Sequence, residues 1–202
     1  MKMYLKNENN NWILFKNPDE SELVKRNIHI GNNVNIKDGV YIGNNVSIGN
    51  NVRIGDDVSI GFNVRIGDCV GIEYNVRIGD CVSIGFNVRI GDCVSIEYNA
   101  SIGNNVRIEY NASIGNDVHI GNYAQIDKDI KLLKSIYIVG SVHPITYVGN
   151  NKLSIGCYTM SIAKWLQEYQ EIGNDNNYDE EQINEYSQYI QFVKQLVDNN
   201  VI

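Results

Sequence analysis

His29, His119 and His143 are the only histidines of the chain, and they are its candidates for moving a proton in general acid or base catalysis. His119 stands between Val118 and Ile120, the outward position of an alternating strand. His143 stands beside Pro144, where the surrounding pattern breaks, the setting of a cleft edge. The same residues serve equally as ordinary surface side chains. The arginines offer a second chemistry. Arg53, Arg65, Arg77, Arg89 and Arg107 each sit in a Val-Arg-Ile triplet, with Tyr74, Tyr98 and Tyr110 in bends nearby. A guanidinium forks phosphate oxygens and a ring stacks on a base, so this set suits a planar anionic ligand such as a nucleotide. Asp56, Asp68, Asp80 and Asp92 lie one bend away, and a solvated face of mixed charge is the other reading. No glycine-rich phosphate loop of the P-loop or dinucleotide kind is present.

The cysteines Cys69, Cys81 and Cys93 recur every 12 residues, with Cys157 apart from them. The net charge is -7, which argues against nucleic-acid backbones, where a basic footprint is required. No apolar run approaches the length of a membrane span. The first ten residues, MKMYLKNENN, lack the apolar stretch of a secretory signal. A reduced, cytoplasmic protein is the expectation.

These residues are positioned by a repeat. Sixteen consecutive hexads run without insertion from residue 30 to residue 125. Each begins with Ile and has Val or Ala fifth, and in fifteen of the sixteen the second residue is Gly or Glu, Lys37 being the exception. Val46 and Ile48 are two apart and point to one side of a strand, while Ser47 between them points to the other. Gly, Asn and Asp fill the intervening bends. Strand and bend every six residues make a solenoid with an apolar interior.

This pattern resembles the hexapeptide repeat of left-handed parallel β-helices, the bacterial transferase hexapeptide type. The resemblance implies an all-β solenoid, a left-handed parallel β-helix with three hexads per triangular coil, so that residues 18 apart stack. Sixteen hexads give a little over five coils. The frame continues through Ile130-Lys131-Leu132, Ile136-Tyr137-Ile138 and Val142-His143-Pro144, for about six coils in all. The division expected is an N-terminal cap at 1–27, the β-helix at 28–144 and a strand-and-helix cap at 145–202. On this geometry Cys69, Cys81 and Cys93 occupy three different corners, too far apart for a disulfide or a four-ligand zinc site. Members of this fold that bind zinc do so with three histidines across a trimer interface. Here His29 and His119 share a face but lie five coils apart, roughly 24 Å at strand spacing, and His143 is on another face.

A solenoid needs caps on its end coils. MYLK and WILF flank an Asn-rich turn and read as a hairpin. PDESELVKR reads as a helical turn with Pro18 at its first position. TYVGNNKLSIGC reads as two strands about an Asn-Asn turn. Ser161 caps a helix that Gly173 ends, and Asp179 with Gln182 forms a capping box. Ile183, Tyr186, Ile190, Val193 and Val197 then mark one face of a last helix. This tail resembles those of phage-type repeat proteins.

Two functions follow from these residues. The first is a non-enzymatic binding or structural protein: a homotrimer holding an anionic small molecule or a partner protein in grooves lined by Arg and Tyr, without cofactor. If phage-encoded, it would belong to the host cytoplasm or the virion. The second, implied by the resemblance, is an acyl-CoA-dependent O- or N-acyltransferase with acyl-CoA as co-substrate. His143, or after it His119, would be the base that takes the proton from the attacking hydroxyl or amine.

Overall fold

The computed structural model describes residues 2–202. Each hexad contributes a short strand ending in its leading Ile or the equivalent residue, and strands 18 residues apart pair in parallel. Three flat ladders result. The first runs from Val40–Ile42 through Arg77–Ile78 to Lys131–Leu132, the second from His29–Ile30 to His119–Ile120, and the third from Asn35–Ile36 to Gln125–Ile126. The architecture is a left-handed parallel β-helix of about six coils. Val46, Ile48, Val52 and Ile54 are buried, as are their counterparts through Ile126, and together these columns form the core. Each buried Ile or Val side chain stabilises the fold by about 1.5–3 kcal/mol before entropy is counted.

The bends explain the remaining letters of the hexad. The fourth residue is left-handed throughout, with φ of 57° at Asn63, 55° at Asn75 and 55° at Asn87. Asn tolerates this region better than most residues, and its amide also bonds to the next coil, as Asn87 Nδ2 does to Asn105 Oδ1 at 2.9 Å. Cys69, Cys81 and Cys93 occupy the same conformation with φ of 60°, 61° and 57°. All four cysteines are free. Asn63 Nδ2 meets the Cys81 sulfur at 3.7 Å, a weaker contact than an amide oxygen makes. Cys81→Asn is therefore expected to stabilise the protein by about 1 kcal/mol through relieved backbone strain and a better bond. A thermal melt followed by circular dichroism checks this, and a lower melting temperature contradicts it.

On two corners the third residue of the hexad alternates between an aromatic ring and a small polar residue, as in Asp56, Tyr74, Asp92 and Tyr110 and in Phe62, Asp80 and Tyr98, while the third corner carries Phe86 alone among Asn and Asp. Phe62 N–H donates to Asp80 Oδ1 at 2.7 Å, Tyr74 N–H to Asp92 Oδ1 at 3.0 Å and Phe86 N–H to Asn104 Oδ1 at 2.7 Å. The polar side chain thus closes the bend one coil back, and the ring there stays about half exposed. A 12-residue sequence period laid on an 18-residue coil supplies this alternation where the aromatics recur. Where the second position is glycine, a Cβ would crowd the next coil, as on Gly61, where it would stand 2.7 Å from the Gly79 carbonyl carbon.

The N-terminal hairpin pairs Lys2–Lys6 with Trp12–Lys16, and its first strand adds in parallel to Val40–Ile42. It therefore extends the first ladder. The helical turn that follows, α1 (Glu20–Val24), is capped by Asp19, whose side chain accepts from Glu22 N–H. Pro18 thus lies before the cap and not at the first helical position expected for it.

The C-terminal end departs further from expectation. The hexad frame leaves the prism after Leu132. Tyr137–Val139 instead opens a four-stranded antiparallel sheet with Pro144–Tyr147, Lys152–Ile155 and Tyr158–Ser161. The apolar spacing at 136–138 is that of a strand in either setting, so periodicity does not separate the two. This sheet lies on the last coil: Gly121 N–H donates to Thr146 Oγ1 at 3.0 Å, and Lys152 pairs with Asp127 at 2.6 Å. Helices α2 (Ile162–Asp175) and α3 (Glu180–Asp198) pack together beside the sheet, and Trp165 Nε1 donates to Leu153 O at 3.0 Å. Ser161 caps α2, and Asp179 with Gln182 forms the capping box of α3. Gly173 does not end α2, which continues to Asp175. A Cβ there would stand 2.8 Å from Ile183 Cγ1, so its smallness admits α3.

Candidate functional site

The turn carrying His143 is held from α3. Ser141 N–H donates to Glu185 Oε1 at 3.0 Å, and the Ser141 hydroxyl bonds the other carboxylate oxygen. That bonding holds the Glu185 carboxyl below the usual carboxylate range. Tyr186 Oη accepts from Val142 N–H at 3.1 Å and His143 N–H at 2.5 Å, and its own hydroxyl donates to His143 O at 2.7 Å. These contacts use the main chain of His143 and leave its ring free to be placed separately.

The ring is placed by Tyr178, on the connection between α2 and α3. Its hydroxyl lies 2.5 Å from His143 Nδ1, and the two rings are nearly parallel, 7° apart. Burial, with the neighbouring Tyr186 and Glu185, pushes the Tyr178 phenol well above its ordinary value, so it remains protonated at any physiological pH. Nε2 of His143 has no hydrogen-bond partner among the described residues. Beside the ring a cavity of about 50 Å³ lies between the terminal sheet and the helices, with Ile155, Gly156, Cys157, Trp165, Tyr169 and Tyr178 among its walls. It is mostly apolar, with His143, Tyr178, Cys157 and Asn176 among its polar groups. A few converging polar groups on an apolar pocket are the usual composition of a ligand site.

His119 occupies the last strand of the second ladder, in tilted contact with Tyr137 at 4.0 Å between centroids. Burial lowers its pKa from the ordinary histidine value. A depressed histidine pKa contributes stability that is present above the unfolded value and lost as pH falls through the folded one. The melting temperature of the wild-type chain is therefore expected to fall, relative to His119→Gln, as pH drops below about 6.5. Parallel pH dependences in the two proteins would remove His119 from that role. His29 opens the same ladder and bonds Asn27 Oδ1 at 2.9 Å. The three histidines thus stand in three separate places.

The arginines do not converge either. Arg53, Arg89 and Arg107 share the third ladder, while Arg65 is on the second and Arg77 on the first. Tyr74 and Tyr110 share one corner and Tyr98 stands on another, as the 18-residue stacking requires. Tyr178, Tyr186 and Glu185 escaped sequence reasoning. Tyr186 was legible only as an apolar-face residue of α3, and Tyr178 sits in a polar loop with no periodic signal.

The chain has the hexapeptide-repeat, left-handed β-helix fold. No protein-family model matches it, and no curated protein does. Among solved structures it is similar to a perosamine N-acetyltransferase variant from Caulobacter crescentus in complex with CoA and GDP-perosamine, at 16% identity and a TM-score of 0.44, over 49% of this chain and 49% of that one. It is also similar to the acetyltransferase domain of PglB from Neisseria gonorrhoeae in complex with acetyl coenzyme A, at 13% identity and a TM-score of 0.44, over 50% of this chain and 51% of that one. A third is the UDP-N-acetylglucosamine acyltransferase from Campylobacter jejuni, at 17% identity and a TM-score of 0.33, over 86% of this chain and 87% of that one. The matched region spans about half the length of the first two.

The non-enzymatic, ligand-holding reading is withdrawn, because the solved structures that share the fold are acyl-transferring enzymes, two of them with CoA or its acetyl ester bound. At these identities the likeness reaches the fold alone, so the acyltransferase reading is argued from the chain's own residues. Among the described residues, no helix is long and apolar enough to cross a membrane.

Proposed function

We propose that the protein is an acyltransferase that moves a short acyl group from a coenzyme A thioester to a hydroxyl or amine, with His143 as general base. The observation that carries this reading is the imidazole held at one nitrogen by Tyr178 and open at the other, beside an apolar cavity. In the tautomer whose Nδ1–H donates to Tyr178 Oη, Nε2 carries the lone pair that a base requires. A positioned base of this kind takes the proton of the acceptor as its oxygen or nitrogen attacks the thioester carbonyl, and CoA thiolate leaves.

The cavity limits the donor. A volume of about 50 Å³ accommodates a few heavy atoms, which supports an acetyl-sized group over a long chain. A coenzyme A donor is a cytoplasmic metabolite, in keeping with a cytoplasmic protein. The test is release of free thiol from acetyl-CoA by the full chain with a panel of amino and hydroxy sugars, each against a no-acceptor blank. Acceptor-dependent thiol release supports the reading. Absence of release with every acceptor, together with no acetyl-CoA binding by calorimetry, rejects it.

A further inference from the structure

The third ladder carries two rows of outward side chains. One row is the last hexad position, with Arg53, Gly71, Arg89 and Arg107 in register on successive coils. The other is two residues further on, with Gly55, Glu73, Gly91 and Glu109 at the same four levels. The rows share one side of the sheet, since Arg107 Nη1 reaches Glu109 Oε1 at 3.7 Å.

Gly71 is the anomaly of this surface. Every other outward strand position of the ladders carries a side chain, from His29 to Lys131. At the glycines of the second row a Cβ would be crowded: one on Gly55 would meet the Glu73 carbonyl carbon at 2.7 Å, and one on Gly91 the Tyr110 nitrogen at 2.8 Å. A Cβ on Gly71 would meet nothing within 4 Å. The fold of one chain therefore does not require glycine there. The resulting notch is flanked by Arg53 and Arg89, about 10 Å apart at two strand spacings. Arg53, Arg89 and Glu73 are exposed, and the side chain of none of them has an ion pair or hydrogen bond among the described residues.

We infer that this face binds the same face of a second copy of the chain, about a twofold axis running along the prism. That operation keeps each coil at its own level and exchanges the two rows. The partner's Glu73 then enters the notch at Gly71, between Arg53 and Arg89. Those two arginines face the partner's Gly55 and the partner's Gly91, which leave them room. Arg107 faces the partner's Glu109. Each contact occurs twice, as an isologous interface requires. Each of these long side chains meets a gap or an opposite charge, at the separation of about 10 Å usual for stacked sheets. The antiparallel pairing sets the first row on itself, arginine against arginine, and like charges so placed are repulsive. The trimer implied by the repeat resemblance brings unlike faces together and leaves the Gly71 notch without this occupant.

Sedimentation velocity of the full chain across concentration and salt tests the pairing. The wild-type chain is expected to dimerise, more weakly as salt rises. Glu73→Arg is expected to weaken the dimer about tenfold or more. Gly71→Leu, which fills the notch, is expected to do the same with an unchanged melting temperature. The triple variant Arg53→Glu, Arg89→Glu, Glu73→Arg exchanges the signs and is expected to recover the dimer. Circular dichroism melts keep folding and pairing apart. A wild-type monomer at every concentration, a trimer, or a dimer indifferent to Glu73→Arg overturns the inference. A folded triple variant that stays monomeric overturns it as well, because the loss then has a cause other than charge pairing.

Discussion

Ile78→Asp is expected to unfold the central coils, whereas Arg77→Asp, one residue away, is expected to change stability by no more than about 0.5 kcal/mol. Ile78 is 3% exposed and stacks between Ile60 and Ile96. The substitution removes a burial term of about 1.5–3 kcal/mol. It also puts a carboxylate among Ile and Val with no donor in reach, at an effective cost of several kcal/mol. The sum rivals the whole stability of an ordinary domain, about 5–15 kcal/mol. Position along the prism adds to it. Each coil touches only its neighbours, so damage at a middle coil breaks two interfaces at once. Arg77 points outward from the same strand and loses only solvated contacts. Urea titration of the two variants by circular dichroism decides the matter. A cooperative, near-native Ile78→Asp would show that the ladder does not face inward at that level.

His143→Ala is expected to lower acyl transfer about 10²–10⁴-fold, the usual contribution of a positioned general base, with little effect on the fold. The second half of that expectation comes from the main-chain bonding. Tyr186 holds the turn through Val142 N–H, His143 N–H and His143 O, and alanine keeps all three. Tyr178→Phe removes the partner of Nδ1 together with the phenol's interaction with Tyr186, and is expected to give a smaller loss, confined to kcat if the phenol sets the ring's orientation. A Tyr178→Phe loss that appears in KM alone would point to a substrate contact instead. Full activity in His143→Ala, measured by thiol release from acetyl-CoA, would take His143 out of the reaction.

The prism was legible from sequence because its causes are local. Inward Ile and Val, left-handed Asn and close-packed Gly recur every six residues, and stacking at 18 follows from repetition. The 12-residue aromatic period was also visible, but its reason was not. Only the coordinates show Asp80 and Asp92 closing the bends at Phe62 and Tyr74. Where the repeat stops, sequence reasoning weakened for a physical reason. Ile136-Tyr137-Ile138 alternates as well in an antiparallel sheet as in a seventh coil, and long-range pairing with Pro144–Tyr147 decides between them. Gly173 reads as a helix end in isolation and as a helix contact once Ile183 lies against it.

The candidate site divides in the same way. His143 stood out by type and by its place beside Pro144, while Tyr178 and Tyr186 lie 35 and 43 residues away. Their convergence depends on how α2 and α3 pack beside the terminal sheet, which no local period encodes. The amino-acid sequence by itself determined the coil, its core and the rows of charge on its faces, because each is a property of one repeat copied along an axis. Tertiary structure alone decided which tyrosines hold the histidine and which glycine leaves a notch, because both depend on what surrounds a residue in space.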